Sequence, residues 1–250
     1  MKHKISLIAL VFIFAISFTS CKKDSSVNSG STSSDLNFKM QAFNKSVSLP
    51  VSTSGLKSAS VTTATVVWDE ATMLVSKVKF EAEMKSVLTG QDSLTIEYSW
   101  RGPRTIDLFD LNSTIGSITL PAGMYEEVSL KVNSEKEDAN GLPLVYLSGN
   151  YTDAAGTILP IVISVSDPVS FKTEQKNDTI ISDVATDLSS NIEIYLDQLM
   201  LQVDIAALDN ATLTDGKIVI SATINNELYQ IIMQNLRRDH GCKYEHHHHD

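Results

Sequence analysis

Between Val75 and Met84 the residues alternate with a period of two: Ser76, Val78, Phe80, Ala82 and Met84 hold the even positions, while Lys77, Lys79, Glu81 and Glu83 hold odd ones. Successive side chains of a strand point to opposite faces, so this segment reads as a half-buried strand with one apolar and one charged face. Leu94, Ile96, Tyr98 and Trp100 alternate in the same way with Thr95, Glu97 and Ser99, as do Val128, Leu130 and Val132 with Glu127, Ser129 and Lys131. Further β-branched or aromatic runs occupy 144–151, 158–165, 190–196 and 217–224. Asn140-Gly141, Ala155-Gly156 and Asp215-Gly216 fall between the runs and suit tight turns. One-sided strands with turns between them predict a mostly β fold, an antiparallel β-sandwich over 61–238. A body of this length supplies one hydrophobic core, so one domain is expected.

Two stretches depart from the β pattern. Asp197 to Leu208 reads as a helix or as a strand and turn. Near the end, Asn225 or Asn226 is placed to cap a helix over Glu227 to Arg238, with Leu228, Ile231, Ile232 and Asn235 or Leu236 on one face. Arg237 and Arg238 oppose the negative end of the helix dipole, and Gly241 stands just past it. One or two short C-terminal helices are therefore expected beside the sandwich.

The first residues carry an address. Met1-Lys2-His3-Lys4 is basic, Ile5 to Phe18 is apolar apart from Ser6 and Ser17, and Thr19-Ser20-Cys21 follows. The run is short for a membrane span and has the flanks of a signal peptide. Phe18-Thr19-Ser20-Cys21 resembles the bacterial lipoprotein lipobox, in which small residues precede a cysteine that receives the lipid. The resemblance implies that 1–20 are removed, that Cys21 is the lipid attachment site, and that the protein is held at the outer membrane, facing the periplasm or the cell surface. Loss of Lys2 and Lys4 with the signal moves the formal charge from −10 to −12. Residues 21–37 then read as a Ser-rich tether, with a typical reach of roughly 22 Å. Residues 38–60 have isolated apolar residues without clean periodicity, and are either more tether or a strand that docks on the body.

At Leu120-Pro121-Ala122-Gly123-Met124-Tyr125 a second pattern appears. LPAGMYEEVSLKV, preceded by IDLFDLNSTIGSI, resembles the prealbumin-like (transthyretin-like) β-sandwich modules of bacterial lipoproteins. The resemblance implies an Ig-like arrangement of strands over 64–200 and carries no catalytic residues. In physical terms Pro121 stiffens the entry to the turn, Gly123 permits a positive φ, and Tyr125 anchors its ring with its hydroxyl at the rim.

Composition narrows the chemistry. With 42% hydrophobic and 20% charged residues the chain is neither disordered nor fibrous. An acidic balance argues against a nucleic-acid partner, which would require a basic face. There is no histidine between Lys4 and Asp239, and Cys242 is the only cysteine after Cys21. Ser-His or Cys-His nucleophilic catalysis and His-based zinc sites therefore have no components in the body. No phosphate-binding, dinucleotide or calcium loop is present, so no cofactor is expected there. What remains is carboxylate chemistry; Asp107 with Asp110, or Glu126 with Glu127, read most simply as solvated strand-end charges.

Two binding readings follow. Trp68, Tyr146 and Tyr151 lie in or beside expected strands and are candidate platforms for the face of a sugar, against the alternative that such rings belong to the core. Trp100 shares an apolar face with Leu94 and Ile96 and is assigned to the core. The tail 239–250 collects His240, Cys242, His246, His247, His248 and His249, donors suited to Zn2+, Ni2+ or Cu2+. Asp92-Ser93-Leu94 and Asp178-Thr179-Ile180 resemble an O-glycosylation pattern of Gram-negative surface proteins. The expectation is a non-catalytic, lipid-anchored envelope protein that binds a glycan, a matrix component or a partner protein. A carboxylate-based glycan-active enzyme and metal binding by the tail are the alternatives.

Overall fold

A computed structural model describes residues 33–49, 63–85, 93–121, 123–182, 186–238 and 241–248. The chain runs through β1 (Ser33–Phe43), β2 (Ser46–Leu49), β3 (Ala64–Lys85), β4 (Ser93–Asp107), β5 (Thr114–Pro121) and β6 (Gly123–Ser134). There follow β7 (Val145–Thr152), β8 (Ile158–Val165), β9 (Val169–Ser182) and β10 (Thr186–Tyr195). Helices α1 (Leu196–Leu199) and α2 (Ile205–Asp209) lead to the small hairpin β11 (Leu213–Thr214) and β12 (Lys217–Ser221), helix α3 (Asn226–Arg238) and β13 (Gly241–His248). The fold is mostly β, as the alternation predicts. It has three α-helices among the described residues, rather than one or two, because 197–208 resolves into the two short helices α1 and α2.

The strands form two sheets, one ordered β13-β10-β1-β5 and the other β11-β12-β8-β7-β3-β6-β9, with β2 and β4 also paired to β3. Both sheets are mixed: β1 runs parallel to β10, and β12 parallel to β8. This corrects the expectation of a purely antiparallel arrangement. Parallel neighbours need long connections, and a pattern read within single strands carries no information about which distant strands meet.

β3 is the spine of the larger sheet. Its first part pairs with β2 and β7, and its second part with β4 and β6. Two bulges lie along it, one between Trp68 and Glu70 and one between Val75 and Lys77. The first inserts Asp69 into β3, the second sets two residues of β4 against one of β3, and the burial phase of β3 flips at each. Val66 and Trp68 are buried, then Ala71, Met73 and Val75, then Val78, Phe80 and Ala82. Ser76, which alternation alone puts on the apolar face, stands at the second irregularity, opposite Gly102 and Pro103 of β4. It is buried, and its hydroxyl accepts from the Glu135 amide at 3.0 Å.

β1 begins at Ser33, inside the stretch read as tether, and lies between β10 and β5. Its Phe38 is fully buried and meets Phe80 of β3 and Tyr98 of β4 at ring separations of 5.1 and 5.4 Å. The smaller sheet thus packs on the second part of β3 and its neighbours. The first part is covered on that same side by helices, through Leu199, Ile205, Leu208, Leu228, Tyr229, Ile232, Met233 and Leu236, and all these residues join one continuous core. Asn235 is buried as well, donating to the carbonyls of Leu199 and Leu201 at 3.0 and 2.6 Å, which ties α3 to the end of α1.

Local turn chemistry follows the sequence in part. Asp215 and Gly216 both have positive φ (51° and 76°) and close the β11–β12 hairpin with two residues. Asn225 precedes α3 with φ 51°, but its side chain bonds to Thr212 and Val219 rather than capping the helix. Gly241 opens β13 and is not a helix terminator. At the LPAGMY segment Tyr125 is buried, with its hydroxyl donating to the Pro121 carbonyl at 2.6 Å. Gly123 does not adopt a positive φ; its lack of a side chain answers a close approach instead, since a Cβ there would stand 2.6 Å from the Met84 sulfur.

Candidate functional site

With the smaller sheet and the helices on one side of the larger sheet, its other face looks outward. That outer face divides into two chemically different halves. Over the second part of β3 it carries Lys79, Glu81 and Glu83, flanked by Glu97 and Arg101 on β4, Glu127 and Lys131 on β6, and Lys172 and Glu174 on β9. Lys79 pairs with Glu81, and Lys172 with Glu174. Such a face is an ordinary solvated surface.

Over the first part of β3 the charge thins. The outward residues are Thr65, Val67, Glu70 and Thr72 on β3; Tyr146, Ser148, Asn150 and Thr152 on β7; Ile158, Pro160, Val162 and Ser164 on β8; and Lys217, Val219 and Ser221 on β12. Glu70 and Lys217 are the two charged residues among them. The registers assemble these into rows across the sheet. One row is Thr72, Tyr146, Ser164 and Ser221, and the next is Glu70, Ser148, Val162 and Val219. Val67, Asn150 and Pro160 form a third, and Thr65, Thr152 and Ile158 a fourth. Rows two residues apart are separated by about 7 Å, and strands by about 4.8 Å, so the four rows on four strands make a platform roughly 20 by 15 Å.

The first bulge of β3 sharpens this surface. It aims Asp69 and Glu70 at the neighbouring strand, where Asn150 donates to Asp69 at 2.9 Å and the Ser148 hydroxyl to Glu70 at 3.4 Å. The carboxylates thereby orient an amide and a hydroxyl of the platform. Gly149 makes the bulge sterically feasible, because a Cβ there would lie 2.1 Å from the Val67 carbonyl oxygen. Val67 and Ile158 are 42% and 64% exposed, giving apolar patches between the hydroxyl rows. The arrangement offers short donors and acceptors alternating with apolar surface, with few charges: Asp69, Glu70 and Lys217.

The aromatic candidates separate. Tyr146 lies half-buried in the platform, between Thr72 and Ser164. Trp68 and Tyr151 are buried on the opposite face of the same strands and are core residues. Tyr151 donates to Asp209 of α2 at 2.6 Å, and its phenol is pushed upward by burial first and by the Asp209 carboxylate second. Trp100 is partly buried against the core, as expected. Asp107 and Asp110 are exposed and accept from the amides of Phe109 and Asn112, so they stabilise the turn after β4.

The remaining candidates lie elsewhere. Cys21, His240 and His249 fall outside the described residues, as does Ala122 of the LPAGMY segment. Cys242, His246, His247 and His248 lie on β13, whose backbone pairs antiparallel with β10; their side chains are outside the description. Among the described residues no group of three or more His, Cys, Asp or Glu is placed to hold a metal.

Sequence reasoning looked for rings and passed over Thr72, Ser148, Asn150 and Ser164. The signal was available in the runs 144–151 and 158–165, where the positions between apolar residues are hydroxyls and an amide instead of the Lys and Glu seen in 75–84. No protein-family model matches this chain, and neither curated proteins nor solved structures yield a match.

Proposed function

We propose that this chain is a non-catalytic, lipid-anchored protein of the bacterial cell envelope that binds a neutral glycan on the open face formed by β3, β7, β8 and β12. The carrying observation is the contrast within one sheet face: densely charged over one half, and hydroxyl-rich with Tyr146 in its end row over the other. An uncharged polyhydroxy chain meets such a surface without stripping water from an ion, and its C–H faces find the exposed Val67 and Ile158. A nucleic acid is a poor fit, because among the described residues this face offers one cation, Lys217, too few to neutralise a run of phosphates.

The fold belongs to the same reading. The two sheets, brought face to face by Phe38, Phe80 and Tyr98, support a prealbumin-like sandwich extended on one side by a helix-covered sheet. Attachment through Cys21 at the outer membrane rests on the lipobox. Fatty-acid labelling that Cys21→Ser abolishes is the expected result; labelling that persists without the thiol contradicts it.

A glycan array combined with a hydrolysis screen on the full chain tests the function. Binding to neutral polysaccharides without turnover is expected. Turnover would replace this reading with a carboxylate-based glycan-active enzyme, and silence on every glycan would point to a protein partner.

A further inference from the structure

A groove of about 560 Å3 opens between β2 and the connection that carries α1 and α2. That volume lies in the range that holds small molecules. Its floor is apolar, with Val47, Leu49 and Met200 buried. Its rim is polar. Asn44, from the tight link between β1 and β2, donates to Asp197 Oδ1 at 2.7 Å, and Gln198 donates to Oδ2 at 3.4 Å. Asp204, the other carboxylate of the groove, accepts from the Ala206 amide at 3.1 Å and caps α2.

Three features distinguish this groove from a gap between elements. First, the described residues that line it include two carboxylates and, among them, no Lys, Arg or His. Second, Asp197 is organised for charge: burial disfavours its ionised form, but the hydrogen bonds from Asn44 and Gln198 outweigh that and hold its carboxyl below the usual range. Third, two of the lining residues are non-glycine residues in the left-handed region, Asn44 at φ 61° and Gln202 at φ 63°. Such conformations persist only where the surroundings fix them. For Asn44 the result is an amide aimed at a carboxylate of helix α1, far along the chain.

We infer that this groove binds a small organic cation, an ammonium group carried on a body the size of an amino sugar, with Asp197 as the counter-ion. An ammonium brings three donors and a positive charge to a carboxylate whose two oxygens have each accepted one side-chain amide and retain lone pairs. The apolar floor accepts the carbon skeleton. A neutral ligand would leave the charge of Asp197 unanswered, and an anion would be repelled. Held ionised, Asp197 acts as an electrostatic partner and not as a proton donor, so no hydrolytic step is assigned to it. The site uses residues separate from the Tyr146 platform, and neither reading depends on the other.

Titration of the isotope-labelled full chain by NMR, with glucosamine, glucose and gluconate as probes, decides the matter. Glucosamine is expected to give saturable shifts in the side-chain amides of Asn44 and Gln198 and in the backbone amides of 197–205. Glucose should bind at least about tenfold more weakly, and gluconate should not compete, as expected when the ionic pairing contributes about 1.4 kcal/mol or more. Asp197→Asn should lose at least that factor for glucosamine, while Lys131→Gln, on the charged half of the sheet face and outside both sites, retains full affinity. The absence of saturable shifts with glucosamine, equal affinity for glucose, or an unchanged Asp197→Asn would each overturn the proposal. Should Asp197→Asn fail to fold, ionic strength makes the same test on the native chain: weakening with salt supports the pairing, and salt-independent binding overturns it.

Discussion

Three tyrosines show how single residues hold this molecule together. Tyr125, Tyr151 and Tyr229 are buried, and each sends its hydroxyl to an acceptor: the Pro121 carbonyl, Asp209 and Asp167 respectively. Burial pushes all three phenols upward, Tyr125 to about 12, with the carboxylates adding to the effect at Tyr151 and Tyr229. A folded-state value above the unfolded value near 10 means that the neutral phenol stabilises the fold fully below pH 10. That contribution is lost as pH rises through the folded values. Tyrosinate absorbance followed together with circular dichroism should therefore show a class of phenols that ionises only above pH 10, as the fold is lost. Ionisation of all seven tyrosines near pH 10 with the fold intact would contradict it. At this scale the sequence identified the aromatic residues but not their sides: Trp68 and Tyr151 face the core and Tyr146 faces water, although all three stand in strands of similar composition. The same holds for Asn235, whose place on the helical face was legible while its bonds to Leu199 and Leu201 depend on where α1 ends.

Strands were the most legible elements, and β3 shows where legibility stops. The alternation over 78–83 corresponds to buried and outward residues one for one, because no irregularity interrupts it. Between Trp68 and Lys77 two irregularities reverse the phase twice, and a period-two reading continued through them would misplace Ala71, Met73 and Val75. Bulges depend on the partner strand, and here the partner signal is Gly149, remote in sequence. Gly149→Ala should therefore destabilise the protein by about 3 kcal/mol, the upper end for overpacking. Gly156→Ala, with nothing within 4 Å of an added Cβ but a φ of +88°, should cost less, about 1 kcal/mol. Denaturant melts compare them; equal stability of Gly149→Ala and the native protein would remove the bulge from this account. β1 was hard to read for a different reason. Ser33 to Asn37 has the composition of a tether, yet it pairs on both edges, and backbone hydrogen bonding leaves little trace in residue type.

For the molecule as a whole, one layer supplies stability and its reverse side supplies surface. The larger sheet buries one face under the smaller sheet and the helices, and the residues so covered form a single core. The other face is left to solvent, and its two halves differ in charge. In a chain with a formal charge of −10, a platform dominated by hydroxyl, amide and apolar side chains is the feature that composition averages away. The sequence therefore led to a mostly β protein, but the hydroxyl-rich platform emerged only when the register put Thr72, Tyr146, Ser164 and Ser221 in one row. The central claim is that this face binds a neutral glycan through Tyr146, and the direct measurement is retention of the full chain on insoluble neutral polysaccharide beside a Tyr146→Ala variant of equal melting temperature. The account predicts retention that does not change with added salt and an affinity about tenfold lower for Tyr146→Ala, the loss of about 1.4 kcal/mol of ring contact. Equal retention of the two proteins, or retention of the native chain that salt abolishes, would contradict it.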